Sequence, residues 1–134
     1  GQRHRVPISI EMGALLQSTG RHSGYVFTVS GNHPINNLGR AASRLRNKMY
    51  AIAEVSGSSL IEEWKPHDLR RTAASGMAKC GIFQEVIERV QNRLSGKFSG
   101  VAGIYNRYEY EKEKKEALNR YGQMISEIVG RENV

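Results

Sequence analysis

A proline divides this chain, and the stretch around it constrains the fold more than any other. Pro66 disfavours the helical conformation at Lys65, so an element boundary is expected there. The residues that follow have the character of a first helical turn, and small or apolar residues continue the pattern through Ala78. The sequence therefore predicts a helix that begins close to Pro66.

Three basic residues lie at the start of this predicted helix. Arg70 and Arg71 follow His67 by three and four residues, so the three side chains share one helix face. The start of a helix attracts anions, a guanidinium grips two phosphate oxygens, and an imidazole donates a hydrogen bond or a proton. This grouping suits a phosphate. The alternative is a surface helix with solvated basic residues, because H-x-x-R is common by chance.

The charge of the chain favours a polyanionic partner. The 134 residues carry a formal net charge of +7. Residues 1–50 contain seven Lys and Arg against one acidic residue, whereas residues 51–134 contain thirteen against twelve. The positive excess is therefore a feature of the first part of the chain.

Segment 36–55 predicts a long helix with a basic face. Arg40, Arg44 and Lys48 are spaced four residues apart, so they share one side of such a helix. A solvated basic face and a nucleic-acid-binding face both fit this bare pattern. Apolar residues at helical spacing predict the core face, which comprises Leu38, Ala41 or Ala42, Leu45, Met49 and Ile52.

Other segments predict a mainly α fold with a small β element. Residues 3–8 alternate polar and apolar side chains and predict a strand, and residues 25–29 form a β-prone apolar run. Ser9 is expected to cap a helix over 11–18. Further helices are predicted over 83–92 and along an apolar stripe from Leu118 to Ile128, and a Gly/Ser-rich loop over 94–103 lies between them.

Length and cysteine content bound the class of protein. A chain of 134 residues is sufficient for one compact domain. No apolar run approaches the length of a membrane span. The single cysteine, Cys80, has no partner for an internal disulfide, which favours a protein of the reducing cytoplasm.

Three segments, taken in order, resemble the catalytic domain of tyrosine recombinases, the phage-integrase family. They are HDLRRTAAS from His67, EVIERVQN from Glu85 and GIYNRY from Gly103. The resemblance is closest to integrases of prophages and genomic islands. It implies that residues 1–134 are the C-terminal part of an integrase catalytic domain, with that core fold truncated at its N-terminus, in a bacterial cytoplasm.

The resemblance also implies a reaction and its residues. Such enzymes cleave and rejoin DNA through a 3′-phosphotyrosine, which keeps the bond energy, so no cofactor or metal is expected. Tyr105 matches the nucleophile, Arg70 the oxyanion clamp and His67 the hydrogen-bonding or proton-transfer partner. Arg93 occupies the position where relatives carry a second histidine or a tryptophan, in patterns such as L-N-H or L-G-H.

The implied partners are double-stranded DNA attachment sites, with self-association of the protein on DNA. The resemblance favours the nucleic-acid alternative for Arg40, Arg44 and Lys48, and it adds Arg71 on the motif helix. Lys97, in the Gly/Ser-rich loop, is expected either to contact phosphate or to be solvated.

The sequence departs from the family pattern at three positions. It contains no T-G-x-R-x-x-E segment, which carries a further family arginine, and no lysine before Arg3 that would match the family's hairpin lysine. Arg93 replaces a proton donor with a group that rarely gives up its proton. We therefore expect residues 1–134 alone to bind DNA weakly and to cleave it poorly. The remaining alternatives are a non-catalytic DNA-binding remnant and a helical protein-interaction domain.

Overall fold

The structure is a computed structural model that describes residues 4–19, 24–28, 30–58, 61–93 and 108–131. These residues are mainly helical, as predicted, and they contain no strand. Their β structure is a single antiparallel bridge between Thr28 and Pro34. The helices are α1 (Ile10–Ser18), α2 (Leu38–Ser56), α3 (Pro66–Lys79), α4 (Gln84–Val90) and α5 (Glu111–Arg131).

Both predicted β segments are wrong as strands where the structure describes them. Residues 4–9 are irregular, because Pro7 lacks an N–H and the described residues offer no strand to pair with. The run at 25–28 instead enters a tight turn. The Ile35 N–H donates to the Phe27 carbonyl over 2.9 Å, and the Thr28 hydroxyl donates to the His33 carbonyl over 2.6 Å.

The chain divides into two compact units. The terminal unit combines Gly1–Gly20 with Thr72–Val134, and the middle unit is Arg21–Arg71. The division falls within α3, so the motif residues His67, Arg70 and Arg71 belong to the middle unit.

The terminal unit has the larger apolar core. Met77 and Ile87 are almost fully buried there, and Val86 and Ala117 complete the cluster. α5 packs against both α1 and α4. Gly122 permits the approach of α1, because a Cβ at this position would overlap the Glu11 carboxylate.

Three helix starts follow from local sequence. The Ser9 hydroxyl accepts the Met12 N–H over 3.1 Å, which confirms the predicted cap of α1. Asn37 caps α2 through the Arg40 N–H over 3.1 Å. Pro66 is the first residue of α3, a position where its missing N–H costs nothing, and the Asp68 carboxylate accepts the Lys65 N–H over 2.9 Å.

The predicted core face of α2 is only partly correct. Ala42 is buried and Met49 is half-buried, but Leu38, Leu45 and Ile52 are exposed. The inward side is instead the one that carries Ala42 and Ala53, on which Arg46 hydrogen-bonds the chain before α3. This side also makes the long-range contact of Arg46 with the Trp64 carbonyl, which leucine spacing does not predict.

Candidate nucleic-acid interface

The start of α3 carries the predicted phosphate-binding group in the predicted arrangement. His67, Arg70 and Arg71 lie on this helix three and four residues apart, so they share a face. His67 and Arg71 are exposed, and Arg70 is half-buried. Arg71 lies 3.6 Å from the Asp68 carboxylate, an exposed pair that contributes little stability.

Asp68 changes the chemistry of this helix start. Its carboxylate occupies the Lys65 N–H and adds a negative charge at the positive end of the helix dipole. The positive charge at this helix start therefore comes mainly from the side chains of the motif residues His67, Arg70 and Arg71, and less from the helix end itself.

α2 presents an exposed basic face in the same unit. Arg40, Arg44 and Lys48 are all exposed. Successive helix residues are about 100° apart, so these three cations point about 120° or more away from the buried Ala42 and Ala53. Within the described residues, no carboxylate forms an ion pair with any of the three. We refer to Arg40, Arg44 and Lys48 as the α2 basic face.

The fourth cation of α2 has a different environment. The Arg46 side chain is 21% exposed and lies within about 40° of the buried side of the helix. Its Nη1 donates to the Trp64 carbonyl over 2.6 Å and lies 3.9 Å from the Glu63 carboxylate. Its Nη2 donates to the Ser43 hydroxyl over 3.3 Å.

Arg93 belongs to the terminal unit and is exposed just after α4. The Arg93 N–H donates to the Glu88 carbonyl over 2.9 Å, and the Asn92 N–H donates to the Arg89 carbonyl over 3.3 Å. Asn92 has a positive φ of 52°, so these bonds form a Schellman-type helix end. Asparagine and glycine tolerate that conformation best. This preference gives a physical reason for the asparagine or glycine that precedes the last position in the patterns L-N-H and L-G-H.

Tyr105 and Lys97 lie outside the described residues, but the tyrosines that follow are placed. The Tyr108 hydroxyl donates to both carboxylate oxygens of Glu113, over 3.0 and 3.1 Å. This hydrogen bond raises the pKa of the Tyr108 phenol above its ordinary value, and desolvation adds to the effect. A phenol that holds its proton in this way is a weak nucleophile.

Tyr110 anchors the same segment to α4. Its ring lies 4.8 Å from the Tyr108 ring, and the Arg89 guanidinium lies 4.0 Å from the Tyr110 centroid. The Glu85 carboxylate pairs with Arg89 at 3.0 Å, which fixes the guanidinium. Tyr108 and Tyr110 therefore have structural roles in the terminal unit.

Two further observations concern other classes of function. Within the part of the chain that the structure describes, no helix combines the length and apolar character that crossing a membrane requires. No group of three or more His, Cys, Asp or Glu among the described residues is arranged to hold a metal ion.

The sequence did not reveal two of these features. The sequence analysis assigns no role to Arg46, although its phase on the helix differs from that of Arg40, Arg44 and Lys48 and separates it from them. The contact of Arg89 with Tyr110 joins residues far apart in sequence, so no local spacing indicates it. The Asp68 cap was not predicted either, although an acid three residues after Lys65 is a local signal for it.

These features define a mainly helical protein with an exposed basic helix face and a basic helix start in one unit. No protein-family model, curated protein or solved structure matches the chain. The assignment of a function therefore depends on the residue pattern and on the geometry described above.

Proposed function

We propose that this protein is a tyrosine-type site-specific DNA recombinase, an integrase that cleaves and rejoins double-stranded DNA through a 3′-phosphotyrosine. The observation that carries the proposal lies in the middle unit. That unit contains both the α2 basic face and the His67–Arg70 pair, so the proposed duplex-binding surface and the proposed phosphate-binding group belong to one unit. The proposal includes the integrase catalytic-core fold and self-association on DNA attachment sites.

Each proposed role follows from what phosphodiester cleavage requires. The Tyr105 phenol loses its proton and its oxygen attacks the phosphorus in line, and the bond from phosphorus to the 5′ oxygen breaks as that oxygen takes up a proton. Arg70 stabilises the charge on the non-bridging oxygens. His67 donates a hydrogen bond to the phosphate or transfers a proton. Arg93 contributes a further hydrogen bond to phosphate but is a poor acid, because its proton is held tightly.

The proposed contribution of the α2 basic face is electrostatic. Each phosphate that a cation neutralises releases counterions, which changes the slope of log affinity against log salt by about 0.9. Three such contacts predict a slope of roughly −2.7 from α2 alone. Contacts with phosphates position the duplex and carry no sequence information, so the attachment-site sequence must be read by other groups.

The two alternatives have support of their own. Arg93 replaces a proton donor, and the sequence contains no match to the family's other arginine or to its hairpin lysine. These departures favour a non-catalytic DNA-binding remnant. The exposed residues Leu38, Leu45 and Ile52 recur every seven residues on α2, which favours a helical protein-interaction domain. The first alternative retains salt-dependent binding to duplex DNA, whereas the second does not predict it.

One experiment separates all three functions. The protein is incubated with a library of nicked duplexes randomised around the nick, and covalent adducts are recovered after denaturation and sequenced. We expect slow adduct formation that Tyr105→Phe abolishes, together with duplex binding that weakens as salt rises. Salt-dependent binding with no adduct above the Tyr105→Phe background would identify a remnant. Absence of salt-dependent binding would leave the protein-interaction function.

A further inference from the structure

Arg46 differs from the other cations of α2 because its guanidinium hydrogen-bonds within the protein, whereas the others are exposed. Its side chain is 21% exposed, and both terminal nitrogens donate to protein acceptors. Arg46 bridges α2, through the Ser43 hydroxyl, to the chain segment before α3, through the Trp64 carbonyl. A hydrogen bond from a charged donor is stronger than a neutral one, and the planar guanidinium fork serves both acceptors at once.

The segment that Arg46 contacts is short and is constrained by Pro66 and by two further hydrogen bonds. Trp64 lies two residues before Pro66, whose ring fixes its own φ and restricts Lys65. The Lys65 N–H is held by the Asp68 carboxylate over 2.9 Å, and the Asp68 N–H donates to the Lys65 carbonyl over 2.8 Å. Little conformational freedom remains between the Trp64 carbonyl and the first turn of α3.

Fixing the Trp64 carbonyl therefore fixes where α3 begins relative to α2. His67 follows Trp64 by three residues and Arg70 by six, on a helix whose start is already capped. The α2 basic face lies on the same helix as Arg46. A duplex held by that face would consequently meet His67 and Arg70 at a distance and angle that depend on Arg46.

We propose that Arg46 is a positioning residue that couples the α2 basic face to the His67–Arg70 pair. This inference rests on the proposed function, because the coupling matters only if one duplex contacts both groups. Arg46 itself contacts no DNA in this account. Its contribution is to hold the phosphate within reach of Arg70 when α2 is bound.

The test compares Arg46→Met with Arg44→Met in the full 134-residue chain. Both replacements keep an unbranched apolar stem and remove the guanidinium. For Arg46→Met we expect an unchanged salt slope of duplex binding, but adduct formation at saturating DNA slower by on the order of 10–10²-fold. For Arg44→Met we expect a salt slope smaller in magnitude by about 1. Arg46→Lys keeps the positive charge and a donor group but loses the planar fork, and it should restore part of the rate.

A second measurement does not depend on cleavage. Spin labels at Val55→Cys on α2 and Leu69→Cys on α3 occupy exposed sites within the middle unit, in a Cys80→Ser background that removes the single native cysteine. Pulsed dipolar spectroscopy should give a narrow distance distribution that Arg46→Met broadens and Arg44→Met does not. Arg46→Met is compared with an otherwise identical labelled chain. Circular dichroism of both chains is the control for general unfolding, which would appear as a loss of the helical signal.

The outcomes separate failure of this inference from failure of the proposed function. An unchanged distance distribution in Arg46→Met would overturn the positioning role, whatever the DNA does. A reduced salt slope in Arg46→Met would overturn it as well, because Arg46 would then be a phosphate contact. Absence of duplex binding in the parent chain would instead overturn the proposed function, while the distance distributions would still decide whether Arg46 fixes the start of α3.

Discussion

At the scale of single residues, Tyr108 differs from the proposed nucleophile Tyr105 in the structural role that its hydroxyl has. Tyr108 donates its phenolic proton to the Glu113 carboxylate, and that bond raises its pKa above 10.0. A raised pKa in the folded state means that the bond stabilises the fold fully below the unfolded pKa, near 10.0, and that this stabilisation is lost as pH rises through the folded pKa.

We therefore predict that Glu113→Gln lowers the pKa of Tyr108 towards 10.0, because the charged acceptor is removed. The measurement is an alkaline titration of phenolate absorbance, and Tyr108→Phe identifies the contribution of this residue. Stability above the ordinary tyrosine pKa should also fall less steeply in Glu113→Gln than in the parent. An unchanged Tyr108 titration would show that the contact with Glu113 does not persist in solution.

A second prediction at this scale concerns close packing of α3 in the terminal unit. A Cβ at Gly76 would overlap the Tyr121 ring, whereas one at Gly130 on α5 would meet nothing within 4 Å. We expect Gly76→Ala to lower the free energy of unfolding by about 1–3 kcal/mol through overpacking. Gly130→Ala should be neutral or raise it by up to about 1 kcal/mol. Urea unfolding measures both, and equal effects would contradict the packing described here.

At the scale of elements, α2 and α5 both carry exposed cations but differ in charge balance. α2 has four Lys and Arg with Glu54 as its single acid, whereas cations and acids alternate along the first half of α5. Cations that lack neighbouring acids attract a duplex more strongly, because no local carboxylate offsets their potential. We therefore propose that the exposed α2 basic face is the principal DNA-binding element.

This difference predicts the outcome of two matched charge reversals. Arg44→Glu should weaken duplex binding and reduce the magnitude of the salt slope by about 1 or more, whereas Lys115→Glu on α5 should change both much less. Each variant alters the net charge by the same amount, so a uniform electrostatic effect cannot explain a difference. Fluorescence anisotropy titrations at several salt concentrations decide it, and equal losses would place the DNA-binding surface elsewhere.

Elements whose signals are local were predictable from the sequence. Pro66 and Ser9 mark predicted helix starts that the structure confirms. The expected strand at residues 3–8 failed where it is described, because a strand needs a partner that local alternation does not supply. The inward side of α2 differs from the predicted one, and its contact between Arg46 and Trp64 spans 18 residues, so no local pattern indicates it.

At the scale of the whole molecule, the two compact units differ in how much of the candidate functional site the sequence predicts. In the middle unit, residue spacing alone predicts that His67, Arg70 and Arg71 share one helix face. Residue spacing likewise predicts that the three cations of the α2 basic face share one side of α2. In the terminal unit, the anchoring of Tyr110 by Arg89 was not foreseeable. The integrase fold, a single catalytic domain over 1–134, and the roles of Tyr105, Lys97 and Arg93 stay predictions.

The most direct test of the central claim is to identify the residue that links the protein to DNA. Adducts trapped on the nicked library are digested with protease and nuclease, and the nucleotide-bearing peptide is located by mass spectrometry. The account predicts a phosphotyrosine at Tyr105 that disappears in Tyr105→Phe and persists in Tyr108→Phe and Tyr110→Phe. A linkage at Tyr108 or Tyr110, or an adduct that survives Tyr105→Phe, would contradict it.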